Sequence, residues 1–165
     1  MLRFEGSLHH PVNCGEAPAL GEMKTSPTRT VRIDIASRFE MLEMVHTVLG
    51  HVTTLLGLDD DAAHYVSVAI RESVVNAIKH GNHGDQGKRV SVELVLHPRA
   101  LEVKVQDEGS GFDPGSIPNP TADENLLKAD GRGIFFMRSF MDDVSYSFPA
   151  RGGTVVRMVK RLPEP

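Results

Sequence analysis

The sequence predicts an α/β (α+β) two-layer sandwich, with a mixed, mostly antiparallel sheet and helices on one face. Three observations carry this. Apolar and polar residues alternate in five short segments, as they do in half-buried strands. Four of those segments fall into two pairs joined by short turns, which makes hairpins rather than parallel βαβ units. Two longer segments repeat apolar residues at helical spacing, and a third such segment follows a glycine-rich loop.

In the first strand Val31, Ile33 and Ile35 alternate with Arg32 and Asp34. Ser37, with Glu40 three residues later, reads as a capping box for the next helix. That helix carries Leu42, Val45, Leu49, Val52 and Leu56, and Gly57 supplies its stop. A second helix starts at Asp59-Asp60-Asp61, acids that suit the positive end of a helix dipole. It runs through Val66, Ala69, Ile70, Val74 and Ala77 to His80, with Gly81 as its expected stop. Val90 to Leu96 and Leu101 to Val105 form a hairpin about His97-Pro98-Arg99-Ala100. A stretch from about Asp113 to Asp130 holds Pro114, Gly115, Pro118 and Pro120; it is expected as a loop that orders over a ligand, with a short helix near 122–128. A helix then runs from Gly131-Arg132-Gly133 through Phe136, Met137 and Phe140. The closing hairpin pairs Val144, Tyr146 and Phe148 with Thr154 to Val159.

The 165 residues suit one domain, with 1–28 expected as a flexible N-terminal tail and 29–165 as the folded unit. With 18 Lys+Arg against 22 Asp+Glu, the net charge is −4, which argues against a general nucleic-acid binder. No apolar run reaches the roughly 18 residues of a membrane span, and the N-terminus lacks the apolar stretch of a secretory signal. The single cysteine, Cys14, leaves no internal disulfide and fits a cytoplasmic setting. His80 and His83 form a His-x-x-His pair, but an expected helix end between them argues against a metal site.

Four groups of residues carry chemistry. Asp107 shares a strand face with Leu101, Val103 and Val105, so its carboxylate points with the core. It either caps its own loop or waits for a ligand's N–H donor. Gly109 and Gly111 follow, and either make an ordinary turn or let another molecule approach the backbone. Glu72, Asn76 and Lys79 form one helical stripe, either a solvated face or a site for a cation and phosphates. There Glu72 is suited to take a proton from a hydroxyl or a water. Asp130-Gly131-Arg132-Gly133 opens a helix, where N–H groups favour an anion, with Lys128 and Arg132 adding charge. Gly152-Gly153-Thr154 enters the last strand and by itself reads as a turn.

Together and in this order these groups resemble the GHKL ATPases, the superfamily of gyrase, heat-shock chaperone, histidine-kinase and mismatch-repair ATP-binding domains. Glu72-Ser73-Val74-Val75-Asn76-Ala77-Ile78-Lys79-His80-Gly81 is similar to its N box. Asp107-Glu108-Gly109-Ser110-Gly111 is similar to its first glycine box, Gly131-Arg132-Gly133-Ile134 to the second, and Gly153-Thr154 to the final Gly-Thr. The wording around Asn76–Gly81 and Gly133–Val144 resembles the anti-sigma-factor serine/threonine kinases in particular. The region of Lys128 and Arg132 departs from that group's most familiar form.

The resemblance implies ATP and Mg²⁺ as cofactors, with Glu72 as the catalytic base and Asn76 as the Mg²⁺ ligand. It implies nucleotide contacts from Asn76, Lys79, His80, Asp107, Gly109, Gly111, Lys128, Gly131, Arg132, Gly133 and Thr154. The implied partners are an anti-anti-sigma (STAS) protein that receives phosphate on serine or threonine, and a sigma factor held inactive. A cytoplasmic homodimer is expected, with no direct nucleic-acid or membrane contact. The alternatives are a non-catalytic, nucleotide-dependent binding module and a stand-alone histidine-kinase-like ATPase domain.

Overall fold

In chain order, the described elements are β1 (Arg29–Ala36), a 3₁₀ turn (Phe39–Met41), α1 (Leu42–Leu55), α2 (Asp60–Asn76) and a π-helical turn (Ala77–Gly81). They continue with β2 (Arg89–His97), β3 (Ala100–Asp107), α3 (Arg132–Phe140), β4 (Asp143–Ser147) and β5 (Val155–Arg161). This is a computed structural model, and it describes residues 29–110 and 132–162. The expected tail, the loop from 113 to 130 and the short helix near 122–128 lie outside those residues.

The strands form one sheet in the order β1-β2-β3-β5-β4. Every neighbouring pair is antiparallel. The helix pair between β1 and β2 returns the chain to the end of the sheet it left, where a single crossover helix gives a parallel neighbour. Strand β4 runs in the same direction as β3, but β5 lies between them.

Period-two patterning puts Val90, Val92 and Leu94 of β2, Leu101, Val103 and Val105 of β3, and Val156 and Met158 of β5 on one buried face. The apolar stripes of the helices cover it: Val45, Leu49 and Val52 from α1, Val66, Ile70 and Val74 from α2, and Met137 from α3. Each such side chain contributes roughly 1.5–3 kcal/mol by leaving water. The opposite face is charged. Glu93 of β2, Lys104 and Glu102 of β3, Arg157 of β5 and Asp143 of β4 form a ladder of ion pairs at 2.6–3.2 Å across four strands.

The helix ends show which local signals acted. Asp59 caps α2, its Oδ1 accepting from the Ala62 N–H at 2.7 Å. Gly57 lies at φ +67° and ends α1, with Leu58 N–H reaching back to the Thr53 carbonyl. The capping box at Ser37 and Glu40 does not form. No side chain caps the 3₁₀ turn or α1, and the Ser37 hydroxyl instead accepts a hydrogen bond from Asn82 at 3.1 Å. A buried long-range partner has displaced the local one. Gly81 is not a left-handed stop either: positive φ falls on His83 and Gly84, beyond the π-helical turn. At its far end α3 is closed by Lys160, whose ammonium donates to the Phe140 carbonyl at 3.0 Å. No described helix is long and apolar enough to cross a membrane.

Candidate functional site

Strand parity places Asp107 at the end of the buried face of β3, where it is 5% exposed. Its Oδ1 accepts from the Gly109 N–H at 2.9 Å and the Thr154 N–H at 3.0 Å, while its own N–H donates to the Thr154 carbonyl at 3.1 Å. The residue therefore caps its own loop and also ties β3 to the start of β5. Oδ2 takes neither of these bonds. A buried carboxylate is costly unless donors surround it. A further N–H donor at Oδ2 would lower that cost.

Three glycines permit this packing. A Cβ at Gly81 would fall on the Asp107 carboxylate, and one at Gly109 on the Gly81 carbonyl. Gly153, at φ +84°, turns the chain where a Cβ would strike the Asp107 carbonyl. Gly81 is thus a close-approach glycine, required by what faces it.

The π-helical turn delivers Gly81 to that place. It closes with the Asn82 N–H on the Ala77 carbonyl at 2.7 Å, five residues back. Asn82 is 0% exposed, and its amide is fully used. Nδ2 donates to Ser37 Oγ and, at 2.9 Å, to the Arg89 carbonyl, and Oδ1 accepts from the Glu108 N–H at 2.9 Å. Glu108 in turn accepts the Arg89 N–H at 2.8 Å. One amide therefore joins the ends of β1 and β3 to the start of β2. The sequence reading missed Asn82; its only local signal is a turn-forming residue directly after Gly81.

On α2, Glu72 and Asn76 face the first turn of α3. A Cβ at Gly133 would come within 2.8 Å of Glu72 Oε2 and 3.5 Å of Asn76 Nδ2. The absent side chain lets the α3 N-terminus approach both polar groups. Lys79 does not continue this stripe into the cavity. It lies in the π-helical turn, where the wider repeat breaks the helical register, and it is exposed.

A cavity of about 370 Å³ opens between these elements. That volume lies within the range of small-molecule sites. Of the sequence-selected residues, Asn76, His80, Asp107 and Thr154 line it. Glu72, Gly109 and Gly133 stand behind that lining through the contacts given above. Arg132 is the first residue of α3, while Gly111, Lys128 and Gly131 lie outside the described residues. The apolar lining comes from Val105, Val156, Ala77, Ile134 and Met137. Ser73 and Tyr146 also line the cavity, and neither stood out in the sequence. Ser73 is simply the residue after Glu72, and Tyr146 looks like any strand-face aromatic.

Residues 35–160 match the family described as histidine kinase-like ATPase domain. The chain belongs to that family. A serine-protein kinase RsbW from Listeria monocytogenes is 24% identical over 140 residues, covering 81% of this chain and 88% of that protein. The protein of the same name from Bacillus subtilis is 26% identical over 140 residues, covering 80% and 85%. An anti-sigma F factor from Oceanobacillus iheyensis is 32% identical over 100 residues, 59% of this chain and 68% of that protein. Within the histidine kinase-like ATPases, the chain therefore resembles the anti-sigma-factor kinases. The crystal structure of the RsbU and RsbW domains of a Mycobacterium tuberculosis protein shares the fold at TM-score 0.61 and 20% identity. The match covers 85% of this chain and 34% of that one.

Proposed function

We propose that this protein is an ATP-dependent anti-sigma-factor serine/threonine kinase. It binds ATP with Mg²⁺, phosphorylates a serine or threonine of a STAS-type antagonist, and sequesters a sigma factor. The observation that carries the nucleotide assignment is Asp107, a buried carboxylate lining the cavity, with one oxygen held by two backbone amides and the other taking neither of those bonds. An adenine amino group is a donor suited to that oxygen, and Gly81 and Gly109 let the surrounding backbone pack closely enough to hold the carboxylate in place. The names of the relatives support the kinase and anti-sigma roles.

The residues present suit the groups they would hold. Asn76 offers an amide oxygen to Mg²⁺, a hard cation that prefers oxygen. When bound, the ion neutralises phosphate charge. Arg132 and Gly133 open α3, where backbone N–H groups suit phosphate; Gly131, Lys128 and His80 are further contacts on the resemblance alone, as is Lys79, which would have to reach in from outside the cavity lining. Glu72 takes the proton of the partner's hydroxyl as its oxygen attacks the γ-phosphorus and ADP leaves. Positioned bases of this kind contribute roughly 10²–10⁴-fold.

The test mixes purified protein, γ-labelled ATP and candidate STAS partners. Label on a partner serine or threonine, lost in Glu72→Ala while ATP still binds, is the expected outcome. ATP-dependent partner binding with no label under any partner overturns the kinase in favour of a holder. Hydrolysis without transfer favours a stand-alone ATPase domain.

A further inference from the structure

Two hydroxyls in the cavity are unexplained by the contacts described so far. Ser73, 1% exposed, lies in the last turn of α2, and its Oγ has no hydrogen-bond partner among the described residues. A serine in a helix ordinarily bonds the carbonyl one turn back or faces solvent. The Tyr146 hydroxyl, likewise shut off from water, also has no partner among the described residues. Buried tyrosine hydroxyls usually find one. Both residues line the cavity that holds Asp107 and Thr154.

The sheet fixes their relation to Asp107. Val105, Val156 and Tyr146 sit in one register row across β3, β5 and β4, so they form a continuous floor. Asp107 lies two residues beyond Val105 on the same face of β3, and Ser73 looks in from α2, one helical turn before Ala77. A flat ligand whose amino group meets Asp107 would lie over an apolar floor, with polar edges left to satisfy. Ring nitrogens are acceptors, and both hydroxyls can donate. Burial raises the Tyr146 pKa above its ordinary value, against a smaller opposing effect of the Arg138 charge, so the phenol keeps its proton.

We infer that Ser73 and Tyr146 are base-recognition residues, whose hydroxyls donate to the ring nitrogens of the adenine placed by Asp107. This rests on the nucleotide assignment made above. It adds two residues of this chain to the recognition of the base, and it explains two otherwise costly orphan groups.

Calorimetric titration of ADP into the full chain tests it, using wild type, Tyr146→Phe and Ser73→Ala. Neither variant removes a hydrogen bond found among the described residues, so the unfolding temperature without nucleotide should equal or exceed that of wild type. ADP should bind each variant about 2- to 10-fold more weakly, as expected for one neutral hydrogen bond. The stabilisation by saturating ADP should shrink accordingly. A merely structural role would lower the nucleotide-free unfolding temperature and leave affinity unchanged, and that result overturns the inference. If wild type binds ADP and both variants bind it equally well, the inference falls and the nucleotide assignment survives. If wild type binds neither ADP nor ATP, the nucleotide assignment itself falls.

Discussion

Gly81 and Asp107 occupy the same space: the position of a Cβ on the glycine is filled by the carboxylate of the aspartate. The residues are distant in sequence. They meet because a π-helical turn carries Gly81 against the end of β3. The carboxylate cannot easily move aside, because Oδ1 is pinned by Gly109 and Thr154.

Gly81→Ala should therefore lower stability by about 1–3 kcal/mol, the range for overpacking a close contact. It should also weaken nucleotide binding, because the methyl group displaces the carboxylate. Denaturant unfolding and ADP titration on the same preparation check both effects.

Asp107→Asn separates two roles within one side chain. The asparagine carbonyl can replace Oδ1 and keep the Gly109 and Thr154 amides satisfied. Its NH₂ then faces the ligand's amino group as a second donor. Stability should stay near wild type, while ATP affinity falls by about 1.5–3 kcal/mol, the range for a hydrogen bond to a charged group. Undiminished affinity in a calorimetric titration would remove Asp107 from base recognition.

Asn76→Ala addresses the cation. Loss of the amide oxygen should weaken ATP binding on the order of tenfold, about 1.4 kcal/mol, in Mg²⁺ and far less in chelator. Equal losses under both conditions would make Asn76 a structural residue.

Asn82→Ala removes an amide that serves the ends of β1 and β3 and the start of β2 at once. It strands the Glu108 N–H and removes a donor from the Arg89 carbonyl and Ser37. The expected loss is on the order of 3 kcal/mol, because buried groups left without partners cost more than a typical bond is worth. Chemical denaturation measures it directly, and a change under 1 kcal/mol would contradict the clip.

The charged face of the sheet predicts an acid limb. Burial pushes the Glu102 carboxyl up, but the hydrogen bonds and charges of Arg157 and Lys104 outweigh it and hold it below an ordinary glutamate. The unfolded chain therefore takes up this proton first, near the ordinary value of about 4.3. The stability contributed by Glu102 is present above that pH and is lost as pH falls through the lower folded value. Glu102→Gln should flatten this part of the stability profile below about pH 5, and added salt should weaken the wild-type effect, since Arg157 and Lys104 are partly exposed. Unfolding curves collected across that range would show it.

Much of the fold is legible without coordinates because burial on one face imposes a period. Val90, Val92 and Leu94 alternate in the sequence because the sheet has a wet side and a dry side, and Val45, Leu49 and Val52 recur because α1 presents one stripe to it. The same parity placed Asp107 on the dry face before any contact was known. Local chemistry also determined the Gly57 stop and the Asp59 cap, whose partners lie within five residues. The sequence could not determine interactions whose partner lies far along the chain. Ser37 carried a plausible capping box and was taken by Asn82, 45 residues away, because a buried amide must be satisfied and a surface cap need not form. Gly81 looked like a helix stop and is instead a space kept clear for Asp107. Ser73 and Tyr146 look unremarkable in their own segments and acquire meaning only where α2 and β4 enclose the same cavity. Periodicity reports which side of an element is buried; only packing decides what meets it there.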